Sequence, residues 1–175
     1  MAPPFRHILA LTTIVLASLG ASSSTVPDKT PANAYSEATY GFSITPPSFP
    51  QVQQDRVVIA IFQAPPEADF SANVTVMVDP VKTTRKDYLQ ASMSTMETTN
   101  PRANVRSLVE MKVSGKDAEL LDYDATMAGR RLRFLQLLVV ADDRVYVVTC
   151  TAPLDNFQKY EAQFRKCIDS FRFDK

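Results

Sequence analysis

Most hydrophobic residues of this chain fall in short runs that are rich in β-branched side chains and are separated by turn residues. Such runs are typical of β-strands, and apolar residues at both alternating positions indicate strands that are covered on both faces. The last runs are joined by the short turn-like segments SGKD, AGR and ADDR, which predict an antiparallel meander. We predict strands at 39–44, 56–63, 73–79, 105–113, 118–127, 132–141 and 145–152.

Two further segments have helical spacing. In the first, Thr84 and Asp87 form a pattern that resembles a capping box, and Asn100 with Pro101 ends the segment. In the second, Asp155 is expected to cap a helix whose apolar residues recur every three or four positions. The mixed order of strands and helices predicts an α+β fold, in which an antiparallel sheet of about seven strands lies between helices as an α/β/α sandwich. The apolar residues of the second helix are Phe157, Tyr160, Phe164, Ile168 and Phe171.

The N-terminal segment has the pattern of a secretory signal. Arg6 and His7 precede an uncharged apolar run that ends in small residues, so we expect residues 1–21 to be a signal peptide. A retained anchor is the alternative. No cysteine stands near the cleavage site for lipid attachment. Residues 22–38 are expected to form a flexible leader, residues 39–175 a single domain, and the protein to be periplasmic or secreted with no membrane span after cleavage.

Composition excludes several kinds of function. The 175 residues carry 19 basic and 19 acidic side chains, and this balance argues against a nucleic-acid partner. The single histidine, His7, lies in the predicted signal, so the mature chain lacks the usual general base of serine and cysteine hydrolases. Four glycines and two isolated cysteines suit neither a phosphate loop nor a zinc site. We therefore predict no catalytic residue, no metal ligand and no cofactor.

Two charged clusters are the weak candidates for a site. Asp122 and Asp124 share one face of a strand and could bind a hard cation or act as a hydrolase pair, or form a solvated strand end. Arg131 and Arg133 share a strand face beside Arg130 in a turn. These arginines could bind an anion or an acidic partner, or they could be charges that flank a very apolar strand.

The two cysteines, Cys150 and Cys167, lie in the last predicted strand and the last predicted helix. If this helix folds back over the strand, the two side chains can approach each other, and in an exported protein we expect them to form a disulfide. Such a bond would stabilise the domain by about 3 kcal/mol. Two buried free thiols and a redox-active pair are the alternatives; the pair lacks the C-x-x-C spacing of a redox motif.

Several segments together resemble one superfamily. They are YGFSITPPSFP, FQAPPEADFSANVTVMVDP, the stretch from VSGKDAELL to VVTCTAP, and FQKYEAQFRKCIDSF. The shared features include an aromatic strand that runs into Pro46 and Pro47, and a final helix with Phe157, Tyr160 and Phe164. The chain thereby resembles the superfamily of PsbP, Mog1 and bacterial PsbP-like proteins. That resemblance implies an antiparallel sheet between helices and mostly non-enzymatic roles as assembly factors, chaperones and binding modules.

These observations predict an exported, non-catalytic binding or assembly-factor domain. Its expected partner is a protein or a small ligand in the cell envelope, and the sequence leaves its oligomeric state open. The alternatives are a structural or scaffold protein of the envelope, and a hydrolase that uses only carboxylates.

Overall fold

A computed structural model describes residues 34–52, 58–67 and 69–174. The predicted signal peptide and most of the predicted leader lie outside this part of the chain. The strands and helices, in chain order, are β1 Tyr35–Glu37, β2 Phe42–Ile44, β3 Gln51–Val52, β4 Val58–Gln63, β5 Asn73–Asp79, α1 Arg85–Thr99, β6 Asn104–Val113, β7 Lys116–Met127, β8 Arg130–Ala141, β9 Arg144–Pro153, α2 Phe157–Ser170 and β10 Arg172–Phe173, with a single 3-10 turn at Leu154–Asn156.

The main sheet has seven strands in the order β3-β4-β5-β9-β8-β7-β6. Every neighbouring pair is antiparallel. Helix α1 connects β5, near the middle of the sheet, to β6 at its far edge. The predicted α+β fold with a sheet of about seven antiparallel strands is confirmed.

Three tight turns build the meander from β6 to β9. Each turn has two residues between the strands, and both have positive φ: Ser114 and Gly115, Ala128 and Gly129, and Asp142 and Asp143. Two-residue loops of this kind match the right-handed twist of the flanking strands. The short connections therefore fix the register of the four strands, as the sequence predicted.

The two helices begin differently. Thr84 caps α1 as predicted, because its side-chain oxygen accepts a hydrogen bond of 3.1 Å from the backbone N–H of Asp87. The predicted cap of α2 is wrong. Asp155 lies inside the 3-10 turn, and Asn156 takes the N-cap position without a side-chain hydrogen bond. Because the 3-10 turn occupies Leu154–Asn156, α2 starts at Phe157, one residue later than a cap at Asp155 would place it.

Each face of the main sheet is covered by one helix. The apolar residues of α2 pack on one face, which we call the α2 face, against alternate residues of β4, β5, β8 and β9 such as Val76, Leu137 and Val148. Tyr88 and Met96 of α1 pack on the other face, the α1 face, in two smaller clusters. This arrangement explains why the central strands are apolar at both alternating positions.

A small second sheet joins the two ends of the domain. Its order is β1-β2-β10, so strands from the start and the end of the described chain pair with the same central strand. Tyr35 of β1 lies 5.5 Å, ring to ring, from Phe62 of the main sheet. The sequence predicts residues 35–37 as part of the flexible leader, and the structure corrects this prediction: they form a short strand that pairs with the neighbouring β2 and packs on the main sheet.

Candidate functional site

The predicted acidic pair meets two of the three predicted patch residues, Arg131 and Arg133, on the α2 face. Arg133 of β8 donates two hydrogen bonds to the carboxylate of Asp122 on β7, from Nε at 2.9 Å and from Nη2 at 2.7 Å. This paired geometry is the strongest form of the arginine–carboxylate interaction. Only 7% of the Asp122 side chain is exposed. The acidic pair and these two arginines therefore form one ion-pair network.

Arg133 has further partners that hold it in place. Its guanidinium lies 4.3 Å from the ring centre of Phe157, at the start of α2, and Nη2 lies 3.5 Å from a carboxylate oxygen of Glu161. The hydrogen bonds to Asp122 raise the pKa of Arg133 above its ordinary value. Arg133 thus links α2 to the sheet and has no free side to offer an anion.

The neighbouring charges continue the network. Arg106 of β6 donates from Nε to Asp124 at 2.7 Å, and Nη2 of Arg131 lies 3.7 Å from the same carboxylate. Arg130 points to the α1 face instead, where its guanidinium lies 5.7 Å from the ring centre of Phe70. Of the three predicted patch residues, Arg131 is the exposed one, with 69% of its side chain accessible. The buried carboxylates of Asp122 and Asp124 both face guanidinium groups. This arrangement is unsuited to a hydrolase pair, whose carboxylates must contact the substrate.

The two cysteines meet as predicted, and the disulfide between them stays a prediction. The structure holds Cys150 of β9 and Cys167 of α2 as thiols, both fully buried in the main core. Burial, together with the hydrogen bond shared with Cys167, raises the pKa of Cys150 well above its ordinary value. A thiol in this state is a poor nucleophile. Proximity was predictable from the strand and helix, whereas oxidation depends on the compartment rather than on the fold.

Metal chemistry has no obvious place in the part of the chain that the structure describes. No three side chains of histidine, cysteine, aspartate or glutamate cluster there in a way that could hold an ion. In the same residues, no helix combines the length and the apolar character needed to cross a membrane.

The sequence did not reveal the most unusual surface, which lies on edge strand β6. Within the described residues, the exposed large hydrophobic side chains are Val105, Leu108 and Val109, at 38%, 45% and 50% exposure. All three belong to β6, and we call them, with the outer backbone of this strand, the β6 edge. Apolar side chains on an unpaired edge are typical of an interaction site. Arg106, Glu110 and Lys112 interrupt the apolar residues of β6, and these charges are the sequence signal that could have identified an exposed strand.

A shallow cleft adjoins the β6 edge. It has a volume of about 180 Å³ and lies between the second half of α1 and the start of β6. Methionine side chains adapt their shape to different apolar partners. The cleft, called here the α1 cleft, is lined by Met93, Met96, Glu97, Asn100, Pro101, Ala103 and Val105.

One buried carboxylate lies near this surface, under α1. Glu119 of β7 is 4% exposed, and one of its carboxylate oxygens lies 3.5 Å from Nε of Arg85. Its other oxygen has no hydrogen-bond partner among the described residues. Burial raises the pKa of Glu119 above its ordinary value, although the nearby Arg85 acts in the opposite direction. Burying Glu119 therefore costs free energy of folding, and its contact with Arg85 is not a strong ion pair.

Comparisons with known proteins agree with this architecture. Residues 47–170 match the DcrB family. No curated protein sequence matches the chain. Among solved structures, the chain resembles the cyanobacterial PsbP protein CyanoP from Synechocystis sp. PCC 6803, with a TM-score of 0.65 and 16% identity over 89% of this chain and 98% of CyanoP. The PsbP-like fold that the sequence resemblance implies is confirmed.

Two other solved structures share the fold. LpqN of Mycobacterium tuberculosis, which is involved in cell envelope biogenesis, has a TM-score of 0.58 and 12% identity over 82% of this chain and 90% of its own. A protein of unknown function from Pseudomonas aeruginosa, PA94, has a TM-score of 0.59 and 19% identity over 79% of this chain and 94% of its own. At these identities, the likeness establishes the fold.

Proposed function

Because this chain belongs to the DcrB family, we propose that it is a non-catalytic envelope protein that binds another protein through the β6 edge and the α1 cleft. Its place is the periplasm or the cell exterior, in agreement with the N-terminal signal pattern. The involvement of the similarly folded LpqN in cell envelope biogenesis supports the same location.

The observation that carries the proposal is the exposure of Leu108 and Val109. These side chains are 45% and 50% exposed and project from opposite faces of the same edge strand, since Leu108 pairs with Leu121 and Val109 with Leu120. A strand with only one neighbour also leaves half of its backbone donors and acceptors available for a second strand. Added strands of this kind obtain affinity from the backbone and specificity from side chains.

The non-catalytic assignment is supported by the state of the reactive groups. Asp122 and Asp124 are buried in ion pairs with arginines, and Cys150 is a buried thiol with a raised pKa. Each of these groups stabilises the fold and is inaccessible to a substrate. An envelope scaffold would use the same edge, so the number of partners distinguishes a dedicated binding module from a scaffold.

The test is crosslinking in the native host followed by purification of the protein. We expect the variant Leu108→Lys/Val109→Lys to lose the crosslinked species, because two ammonium groups would have to be buried at the contact. The matched control is Gln158→Lys/Gln163→Lys, which adds the same charge at exposed positions of α2. If the edge variant and the control retain the same crosslinked species, the β6 edge is not the binding surface.

A further inference from the structure

The two halves of α1 are attached to the sheet differently. In the first half, Thr84 caps the helix, and the hydroxyl of the buried Tyr88 donates a hydrogen bond of 3.3 Å to the carboxylate of Asp79 on β5. In the second half, residues 92–99, the buried residues are Ser92 and Met96. The hydroxyl of Ser92 has no hydrogen-bond partner among the described residues. The second half is therefore attached mainly through Met96.

The second half of α1 also has a sequence that favours a helix only weakly. Thr95, Thr98 and Thr99 each donate a side-chain hydrogen bond to a carbonyl one turn earlier, at 2.9, 2.9 and 2.8 Å. Threonine has a lower helix propensity than alanine, and such backward hydrogen bonds slightly destabilise a helix. Glu97 places a negative charge in the last turn, where the helix dipole favours a positive one. Local structure therefore contributes little to keeping this half folded.

The packing beneath this half is incomplete. The α1 cleft lies between Met93 and Met96 of the helix and the start of β6. Side chains that face a cleft make fewer van der Waals contacts than side chains in a filled core. Helix α1 buries three of its 15 residues, whereas α2 buries five of its 14. The second half of α1 is therefore the weakest part of the two helical covers.

Apolar side chains of the α1 face lie under Met96 and form a buried cluster with it. Two of them are direct cross-strand neighbours of exposed β6 residues, since Leu121 pairs with Leu108 and Tyr123 pairs with Val105. Movement of residues 92–99 away from the sheet would join this cluster to the β6 edge in one continuous apolar surface. The other sheet and loop members of the cluster are Phe70, Ala125, Leu132 and Phe134.

We propose that residues 92–99 form a lid that opens by local unfolding while the rest of the domain stays folded, and that this opening gives the partner access to the apolar cluster beneath. The inference rests on the proposed function and specifies how the same site is regulated. Local unfolding of a weakly attached segment costs less free energy than unfolding of the whole domain. While the lid is closed the cluster is hidden, so the apparent affinity for the partner is reduced by the fraction of molecules that are open.

Hydrogen exchange of the full chain, followed by mass spectrometry, tests whether the lid opens by itself. We expect the amides of residues 92–99 to exchange at least about tenfold faster than those of α2. At the exposed Ser94, Ser94→Gly should speed exchange of the lid about fivefold relative to Ser94→Ala, because glycine weakens a helix. The matched control is Ala162→Gly at an exposed position of α2. It should speed exchange of α2 about fivefold and leave the lid unchanged, because the lid opens without α2. Equal acceleration of both regions by Ala162→Gly overturns the inference.

Crosslinking in the native host tests the regulatory role of the lid. Ser94→Gly should raise the yield of the crosslinked species above that of Ser94→Ala, by up to about fivefold where the partner is not saturating. Equal yields from these two variants overturn the inference, even if the lid opens locally. They leave the proposed function intact if Leu108→Lys/Val109→Lys still loses the crosslinked species, because that variant changes the binding surface and not the lid. Equal yields together with an unchanged crosslink in Leu108→Lys/Val109→Lys overturn both.

Discussion

Replacing Arg133 with alanine should destabilise the domain far more than replacing a surface arginine. The change removes both hydrogen bonds to Asp122, whose side chain is 7% exposed, and the contact with Phe157. Removing one partner of a buried ion pair costs about 3–5 kcal/mol, whereas an exposed pair contributes about 0–1 kcal/mol. Because Arg133 itself is 16% exposed, we expect a loss of about 3 kcal/mol.

The measurement is urea unfolding followed by circular dichroism, with thermal unfolding as a second readout. A loss of this size lowers Tm by roughly 10 °C for a domain of this length. Arg131→Ala is the matched control: its side chain is 69% exposed, so the change should stay within about 0.5 kcal/mol.

The double variant Arg133→Ala/Asp122→Ala gives the sharper result. Since it removes the unpaired buried carboxylate, it should be more stable than Arg133→Ala alone by about 1–2 kcal/mol. A loss below about 1 kcal/mol for Arg133→Ala, with no rescue by the second substitution, would refute the reasoning. Arg133 would then be a solvated side chain that is free to bind an anion, as the sequence first suggested.

Three further outcomes follow from other parts of the fold. The raised pKa of Glu119 means that its contribution to stability is complete below its ordinary value of 4.5 and is lost as pH rises through its folded pKa. The free energy of unfolding of Glu119→Gln, relative to that of the unsubstituted protein, should therefore rise as the pH goes from acid to neutral. A stability difference that does not change with pH in urea unfolding would contradict this. Ala128 has φ of 49° in a two-residue turn before Gly129, so Ala128→Asn should stabilise the domain by about 0.5–1 kcal/mol in the same assay. Ala128→Val, which disfavours positive φ more strongly, should have the opposite effect. Finally, Cys150 and Cys167 meet in the core of a protein that we place outside the cytoplasm, so they should give no free thiol after denaturation without reductant. A count of two free thiols would show that the disulfide prediction is wrong.

The meander from β6 to β9 was predictable because its signals are local. Turn residues such as Gly115 and Gly129 stand between apolar runs, and both cues concern neighbours in the chain. Strand β1 was missed because Tyr35–Glu37 has only three residues, YSE, and no apolar alternation, although its partner β2 follows closely in the chain. The predicted start of α2 was wrong because the 3-10 turn that precedes this helix depends on how the chain leaves the sheet.

The candidate site was less predictable than the fold. Sequence placed Asp122 and Asp124 on one face and Arg131 and Arg133 on another strand's face, but only the register of β7 with β8 shows that these charges neutralise one another. The exposure of Leu108 was missed because the apolar residues of β6 were weighed without its charges, Arg106, Glu110 and Lys112. The crossover through α1 then places β6 at the edge of the sheet, which local sequence does not show.

The small sheet β1-β2-β10 has a consequence for the order in which the domain folds. β2 pairs with a strand from each end of the described chain, and the ring of Phe42 stacks on that of Phe171 at 5.3 Å. During synthesis, the meander of local hairpins can form early, because short loops close rapidly. The core around Phe42 must wait until Arg172–Phe173 has emerged. A chain that ends before Arg172 is therefore expected to leave aromatic surface exposed to aggregation.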